Sequence, residues 1–267
     1  MAHLVEEIRR TRPVVLTVAN MVTPGDVANA LNAIGGSPIM STAPQEAAMM
    51  VKISRAITVN IGTLNSDQAT EIEAVLSAAD ATRKPVILDP VAVAVPYREH
   101  FVDQLLGQHR VSLLRGNAGE IAHLAGVDWQ SKGIDSEQGS ASQLVEVARA
   151  CAQKHRCVVA LTGPQDVVTD GNQVLVNDCG TRLFQTYVGC GDMVSTLCGA
   201  FLAVGSDHLQ AAWNAVRTFT IAGQIAASKL ARPVPGSFFT ALLDELSLIS
   251  DQDVQQLEEE SEMQKND

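Results

Sequence analysis

The chain has little charge, no long apolar run and no cysteine pairing pattern, and each shortage removes a class of protein. Only 18% of its 267 residues are charged against 46% apolar, with 19 glycines, which excludes global disorder and requires a sizeable buried core. No uninterrupted apolar stretch approaches the roughly 20 residues that cross a bilayer. The opening Met1-Ala2-His3-Leu4-Val5-Glu6-Glu7 has no basic-then-apolar layout, so a cytoplasmic location without a membrane partner is expected. Clustered Lys and Arg are missing, and with a net charge of −11 a nucleic-acid partner is excluded. The five cysteines (Cys151, Cys157, Cys179, Cys190, Cys198) form no Cys-x-x-Cys pair and have no His at ligand spacing, which reads as reduced, mostly packed thiols. There is no Ser/Gly linker and no repeat at a solenoid period, so residues 1–250 are expected to form one domain. Residues 251–267 carry −6 of the net charge with almost no apolar partner, the composition of a disordered acidic tail.

What is present is a rhythm of short Val/Ile-rich runs and amphipathic stretches. Pro13 to Val18 is followed by an alanine-rich segment that Thr23 would cap, with Pro24 at its first position. Strand-then-helix pairs follow at Ala56–Ile61 and Ser66–Thr82, at Pro85–Leu88 and Tyr97–Leu106, and at Val111–Leu114 and Ala118–Ala125. Ser142–Gln153 then precedes a strand at Cys157–Leu161. Such alternation predicts an α/β fold with a central, mostly parallel sheet covered by helices. Asp166–Thr169 and Gln173–Val176 flank the hairpin signal Asp170-Gly171-Asn172, predicting a β-meander. Three helices are expected to close the chain, at Met193–Val204, Leu209–Leu230 and Phe238–Ile249, and Asp128–Gly139 reads as a mobile surface loop.

The segment Gly189-Cys190-Gly191-Asp192 lies between a strand and a long apolar helix. Its glycines allow close backbone approach to an anion, and the helix start offers unpaired N–H groups, so the layout suits a phosphate. No Lys-Ser/Thr follows, so it is not a Walker A loop, nor is it a dinucleotide fingerprint. Asp192 is either a dipole-complementing charge or a catalytic carboxylate. Arg115-Gly116-Asn117-Ala118-Gly119-Glu120 sits at another strand end, where Asn117 and Glu120 form a capping box or Glu120 holds Mg²⁺ waters. Asp89, in Leu88-Asp89-Pro90, is a turn former or an outer-sphere metal partner.

In this order the pieces resemble the ribokinase-like superfamily of small-molecule kinases and, within it, the hydroxyethylthiazole kinase family. The resemblance runs to about Ile249 and includes Ala19-Asn20-Met21-Val22, Gly35-Gly36-Ser37-Pro38-Ile39-Met40, Asn60-Ile61-Gly62-Thr63-Leu64 and Pro235-Gly236-Ser237-Phe238 as well as the motifs above. It implies a three-layer α/β/α fold and Mg²⁺-dependent transfer of phosphate from ATP to 4-methyl-5-(2-hydroxyethyl)thiazole. By the same resemblance, Asn20, Val22, Met40 and Gly189 would hold the thiazole, Arg115, Thr162 and Gly191 the nucleotide, and Asp89 and Glu120 the metal. Asp192 would take the substrate proton, and the pocket would lie between subunits of a homotrimer. Family members usually carry Gly-Thr-Gly-Cys where this chain ends its turn in Asp192, and Ala19 replaces a Thr. The segment Val91-Ala92-Val93 lacks an expected Gly. Kinases of hydroxymethylpyrimidine, pyridoxal or sugars, and ATP- or ADP-dependent dehydratases of nicotinamide hydrates, share the fold and stay as alternatives.

Overall fold

In the computed structural model, which describes residues 3–128 and 140–256, the apolar runs assemble into one eight-stranded sheet. The strands are β1 (Val14–Val18), β2 (Ser37–Met40), β3 (Ala56–Asn60), β4 (Val86–Asp89), β5 (Leu113–Gly116), β6 (Val158–Leu161), β7 (Asp166–Thr169) and β8 (Val174–Asn177). Their order is β2-β1-β3-β4-β5-β6-β7-β8. The first six are parallel, and β7 and β8 add antiparallel strands, which is the expected meander. Strands with continuous Val/Ile/Leu runs suit a sheet covered on both faces.

The helices are α1 (Leu4–Thr11), α2 (Pro24–Ile34), α3 (Ala47–Ile53), α4 (Ser66–Thr82), α5 (Pro96–Gln108), α6 (Ala118–Ala125), α7 (Ala141–His155), α8 (Cys190–Val204), α9 (His208–Lys229) and α10 (Pro235–Leu248). Successive strand residues point to opposite faces. Val15, Ala56, Ile87, Leu113 and Ala160 accordingly pack with α1, α2, α8, α9 and α10. Their neighbours Leu16, Ile57, Leu88, Leu114 and Val159 pack with α3 to α7. Three layers result.

Two expectations need correction. Thr23 precedes Pro24 at the start of α2, but its side chain makes no capping bond to that helix; its hydroxyl turns instead toward the acceptors Asn20 Oδ1 and Asp192 Oδ2. Residues 251–256, expected to begin a frayed tail, are helical. Val254 is buried and its carbonyl accepts from Arg217, while the Asp251 carboxylate accepts the backbone N–H groups of Val5 and Glu6. That carboxylate caps α1 from the other end of the chain, satisfying donors the helix cannot pair itself. The rest of the acidic tail and the expected loop, Asp128 aside, lie outside the described residues. None of the five cysteines forms a disulfide, and four are buried. Among the described residues no helix is long and apolar enough to cross a membrane.

Candidate active site

The strand order reverses at β1, whose neighbours are β2 and β3, and ligands of open α/β sheets bind outside the carboxyl ends of strands at such a point. Asn20 follows β1, Asn60 ends β3, Asp89 ends β4 and α8 starts above them. The chain enters α8 through Gly189, whose φ of 101° is left-handed and whose Cβ, if present, would stand 2.7 Å from the Thr23 methyl. Only glycine fits this turn.

Asp192 lies half-buried in the first turn of α8. Its Oδ2 accepts from Asn20 Nδ2 at 2.8 Å and from Thr23 Oγ1 at 2.5 Å, and its Oδ1 accepts from Asn60 Nδ2 at 3.0 Å. Both amides are oriented by backbone donors. Asn20 Oδ1 accepts from the N–H groups of Val22 and Thr23, and Asn60 Oδ1 accepts from Gly62 N–H and from Asn20 Nδ2. Asn20, Thr23 and Asn60 are all buried, so the network is rigidly held beneath the carboxylate.

On the other side of the turn, Arg115 reaches from β5 to donate to Asp89 Oδ2 at 3.3 Å and Thr162 Oγ1 at 2.5 Å. Its guanidinium presses on Gly191, where a Cβ would meet Nη1 at 2.5 Å. Asp89 is fully enclosed; its Oδ2 also accepts from Ser195 Oγ at 2.7 Å, while Oδ1 has no partner. Burial pushes the Asp89 carboxyl up to about 6, against the pull of Arg115. Burial opposes the charge of Arg115, but Asp89, Glu120 and Asp192 together hold it above its ordinary value. A cleft of about 720 Å³, within the size range of small-molecule sites, opens here between Arg115, Thr162, Gly191, Val194, Cys179 and Phe184. Asp166 supports its rim by accepting from Gly163 N–H and Asn177 Nδ2, with burial raising its carboxyl to about 6. Burial also pushes the Cys190 thiol up to about 12, leaving it neutral.

Glu120 makes the capping box: Asn117 Oδ1 accepts Glu120 N–H and Glu120 Oε2 accepts Asn117 N–H. Its Oε1 accepts the N–H of Ala92, which holds a left-handed φ of 54° at the segment that lacks the expected glycine. Glu120 thus anchors the loop after β4 to the start of α6.

The structure brings Asn20, Gly189, Asp192, Gly191, Arg115, Thr162 and Asp89 to one end of the sheet. Val22 joins the network through its backbone N–H alone, and the side chains of Val22 and Met40 stay off it. Val22 is 66% exposed, beside the exposed Met21 and Val188, and Met40 is half-buried at the edge strand β2. Thr23, Asn60, Ser195 and Asp166 were missed as site residues. Asn60 had a signal, a polar residue ending an apolar strand and paired in register with Asp89.

A family model described as the hydroxyethylthiazole kinase family matches residues 5–252. A hydroxyethylthiazole kinase of Limosilactobacillus fermentum is 49% identical over 253 residues, covering 94% of this chain and 98% of that protein. The solved structure of a hydroxyethylthiazole kinase protein from Pyrococcus horikoshii superposes with a TM-score of 0.85 at 33% identity, covering 94% of each chain. An ADP/ATP-dependent NAD(P)H-hydrate dehydratase of Bacillus subtilis shares the fold alone, with a TM-score of 0.62 at 18% identity and coverage of 89% and 90%.

Proposed function

The chain belongs to the hydroxyethylthiazole kinase family, and from that premise we propose how its residues carry the reaction, with Asp192 as the proton acceptor. The enzyme is an ATP-using kinase on the ribokinase-like α/β fold and phosphorylates a thiazole alcohol in thiamine salvage. The alcohol is assigned as 4-methyl-5-(2-hydroxyethyl)thiazole. The observation that carries the mechanism is the Asp192 carboxylate, fixed by Asn20, Thr23 and Asn60 directly after the Gly189 turn.

Phosphoryl transfer asks the protein for in-line positioning and charge neutralisation rather than covalent chemistry. The nucleotide lies in the cleft beside Arg115 and Thr162, and the amides from Gly189 to Gly191 with the start of α8 cradle the moving phosphoryl group. Asp192 receives the proton of the substrate hydroxyl. The alcohol acidifies as its bond to phosphorus forms, so a carboxylate suffices as a late acceptor. Asn20 serves the thiazole side of the turn while holding Asp192, and Val22 and Met40 complete the ring pocket.

Family membership implies a divalent metal with the ATP, and we assign it as Mg²⁺. The residues fit: two hard-oxygen carboxylates face this region, and Asp89 Oδ1 is a buried acceptor with no donor. Glu120, both of whose oxygens already take backbone N–H groups, and the enclosed Asp89 would hold the ion through its waters. When bound, it neutralises nucleotide phosphate charge. We further propose a cytoplasmic enzyme whose residues 1–250 form one kinase domain. A homotrimer, expected from the resemblance, is supported by the exposed Met21, Val22 and Val188 flanking the turn, an apolar wall that a second subunit would cover.

The test is Asp192→Asn. If Asp192 is the acceptor, kcat falls roughly 10²- to 10⁴-fold with both KM values nearly unchanged. A folded, saturated variant within about threefold of wild type removes the proton-acceptor role and leaves the turn as the catalytic device.

A further inference from the structure

Asp192 has two oxygens, and its surroundings treat them differently. Oδ2 receives two donors, Asn20 Nδ2 at 2.8 Å and Thr23 Oγ1 at 2.5 Å, as many as it has lone pairs. Oδ1 receives one, Asn60 Nδ2 at 3.0 Å, and keeps a lone pair. A proton needs a free lone pair. We propose that Oδ1 is the oxygen that accepts the substrate proton, and that Asn60 is the positioning residue that aims it. The inference rests on Asp192 being the acceptor and goes beyond it by naming the atom and its support.

The step balances. The substrate oxygen bonds to the γ-phosphorus, the bond from that phosphorus to the bridging oxygen of ADP breaks, and the hydroxyl proton passes to Oδ1. Asn60 is suited to the task because its own amide cannot turn over. Its Oδ1 is fixed by Gly62 N–H at 2.8 Å and by Asn20 Nδ2 at 3.1 Å, so Nδ2 must face Asp192. The residue is 3% exposed and ends β3 in the parallel ladder, so the sheet itself sets its place. The ionisable groups that interact with Asp192 are Arg115 from β5, Asp89 from β4 and the neutral Cys190 thiol on its own helix. None of these donates to Oδ1.

Three variants test the assignment, each checked for folding by thermal melting. Asn60→Ala should lower kcat at least about tenfold with both KM values within about twofold, because an aimed acceptor acts on the transition state rather than on binding. Thr23→Val, which leaves Asn20 on Oδ2, should cost several-fold less. Asn60→Asp is isosteric and places a second carboxylate against Oδ1, so the acid limb of its kcat–pH profile should move up by at least about one unit. A purely structural role for Asn60 moves melting temperature but leaves the kcat of the folded Asn60→Ala variant near that of wild type. Where Asn60→Ala does not fold, Asn60→Asp carries the test. An unshifted limb, or a Thr23→Val loss equal to that of Asn60→Ala, overturns the assignment. If Asp192→Asn is inactive while the Asn60 variants are normal, this inference alone fails; if Asp192→Asn is active, the acceptor reading fails with it.

Discussion

Replacing Gly191 by alanine tests whether Arg115 is the cation that meets ATP, and it does so without deleting a charge. The added methyl would lie 2.5 Å from Nη1, 2.8 Å from Nη2 and 3.0 Å from Cζ of Arg115, where ordinary contacts begin at 3.4 Å. The guanidinium must therefore withdraw by roughly 1 Å to escape repulsion. Its 3.3 Å bond to Asp89 then passes beyond hydrogen-bonding reach, and the bond to Thr162 is lost or rebuilt. A hydrogen bond made by a charged group contributes about 1.5 to 3 kcal/mol, so misplacing Arg115 should raise KM for ATP about 10- to 100-fold. The KM for the thiazole should hold. Gly191 lies within α8 without a left-handed φ, so alanine gains about 0.5 to 1 kcal/mol of helix preference and the fold should survive. Arg115→Ala removes the same contacts directly and also leaves the buried Asp89 carboxylate without its cation. Steady-state kinetics on both single variants and the double variant close a cycle, and in the Arg115→Ala background Gly191→Ala should add almost nothing. An ATP KM within twofold of wild type, or the same loss in both backgrounds, would mean that Arg115 is not the cation that meets ATP.

Glu71 on α4 is buried with Oε1 unpartnered, and burial, aided by repulsion from Glu46, pushes its carboxyl up to about 7. Because the folded value is raised, this residue costs stability progressively as pH climbs from about 4.5 past 7. Glu71→Gln should thus raise the melting temperature at pH 8 by about 2 to 4 °C, equivalent to about 1 kcal/mol, and leave it unchanged near pH 5; equal destabilisation at both pH values contradicts this. Light scattering should report a mass of three chains, and a fully active single chain of 28.4 kDa refutes the trimer.

Local chemistry made much of the fold legible. The capping pair Asn117 and Glu120 starts α6 where the sequence placed it, and Asp170-Gly171-Asn172 turns β7 into β8. The strand β2 escaped notice because Ser37-Pro38-Ile39-Met40 is short and contains proline, which an edge strand tolerates. The phosphate turn was readable because glycines and the helix start are contiguous. Thr23 and Asn60 were not, since their partner Asp192 lies 169 and 132 residues away, and Thr23 has an equally good local explanation as a cap. The same limit hid the Asp251 cap on α1, made across 246 residues.

Phosphorylation of a thiazole alcohol is the activity of this enzyme, with Asp192 closing its glycine turn. Its most direct test is kcat/KM with Mg²⁺-ATP for 4-methyl-5-(2-hydroxyethyl)thiazole, hydroxymethylpyrimidine, pyridoxal and a sugar, with product mass recorded for each. The thiazole should be preferred by at least about tenfold, one ADP should form per phosphorylated alcohol, and the product should gain one phosphate. A higher kcat/KM for any of the other alcohols, or ATP turnover with no phosphate added to the thiazole, contradicts it.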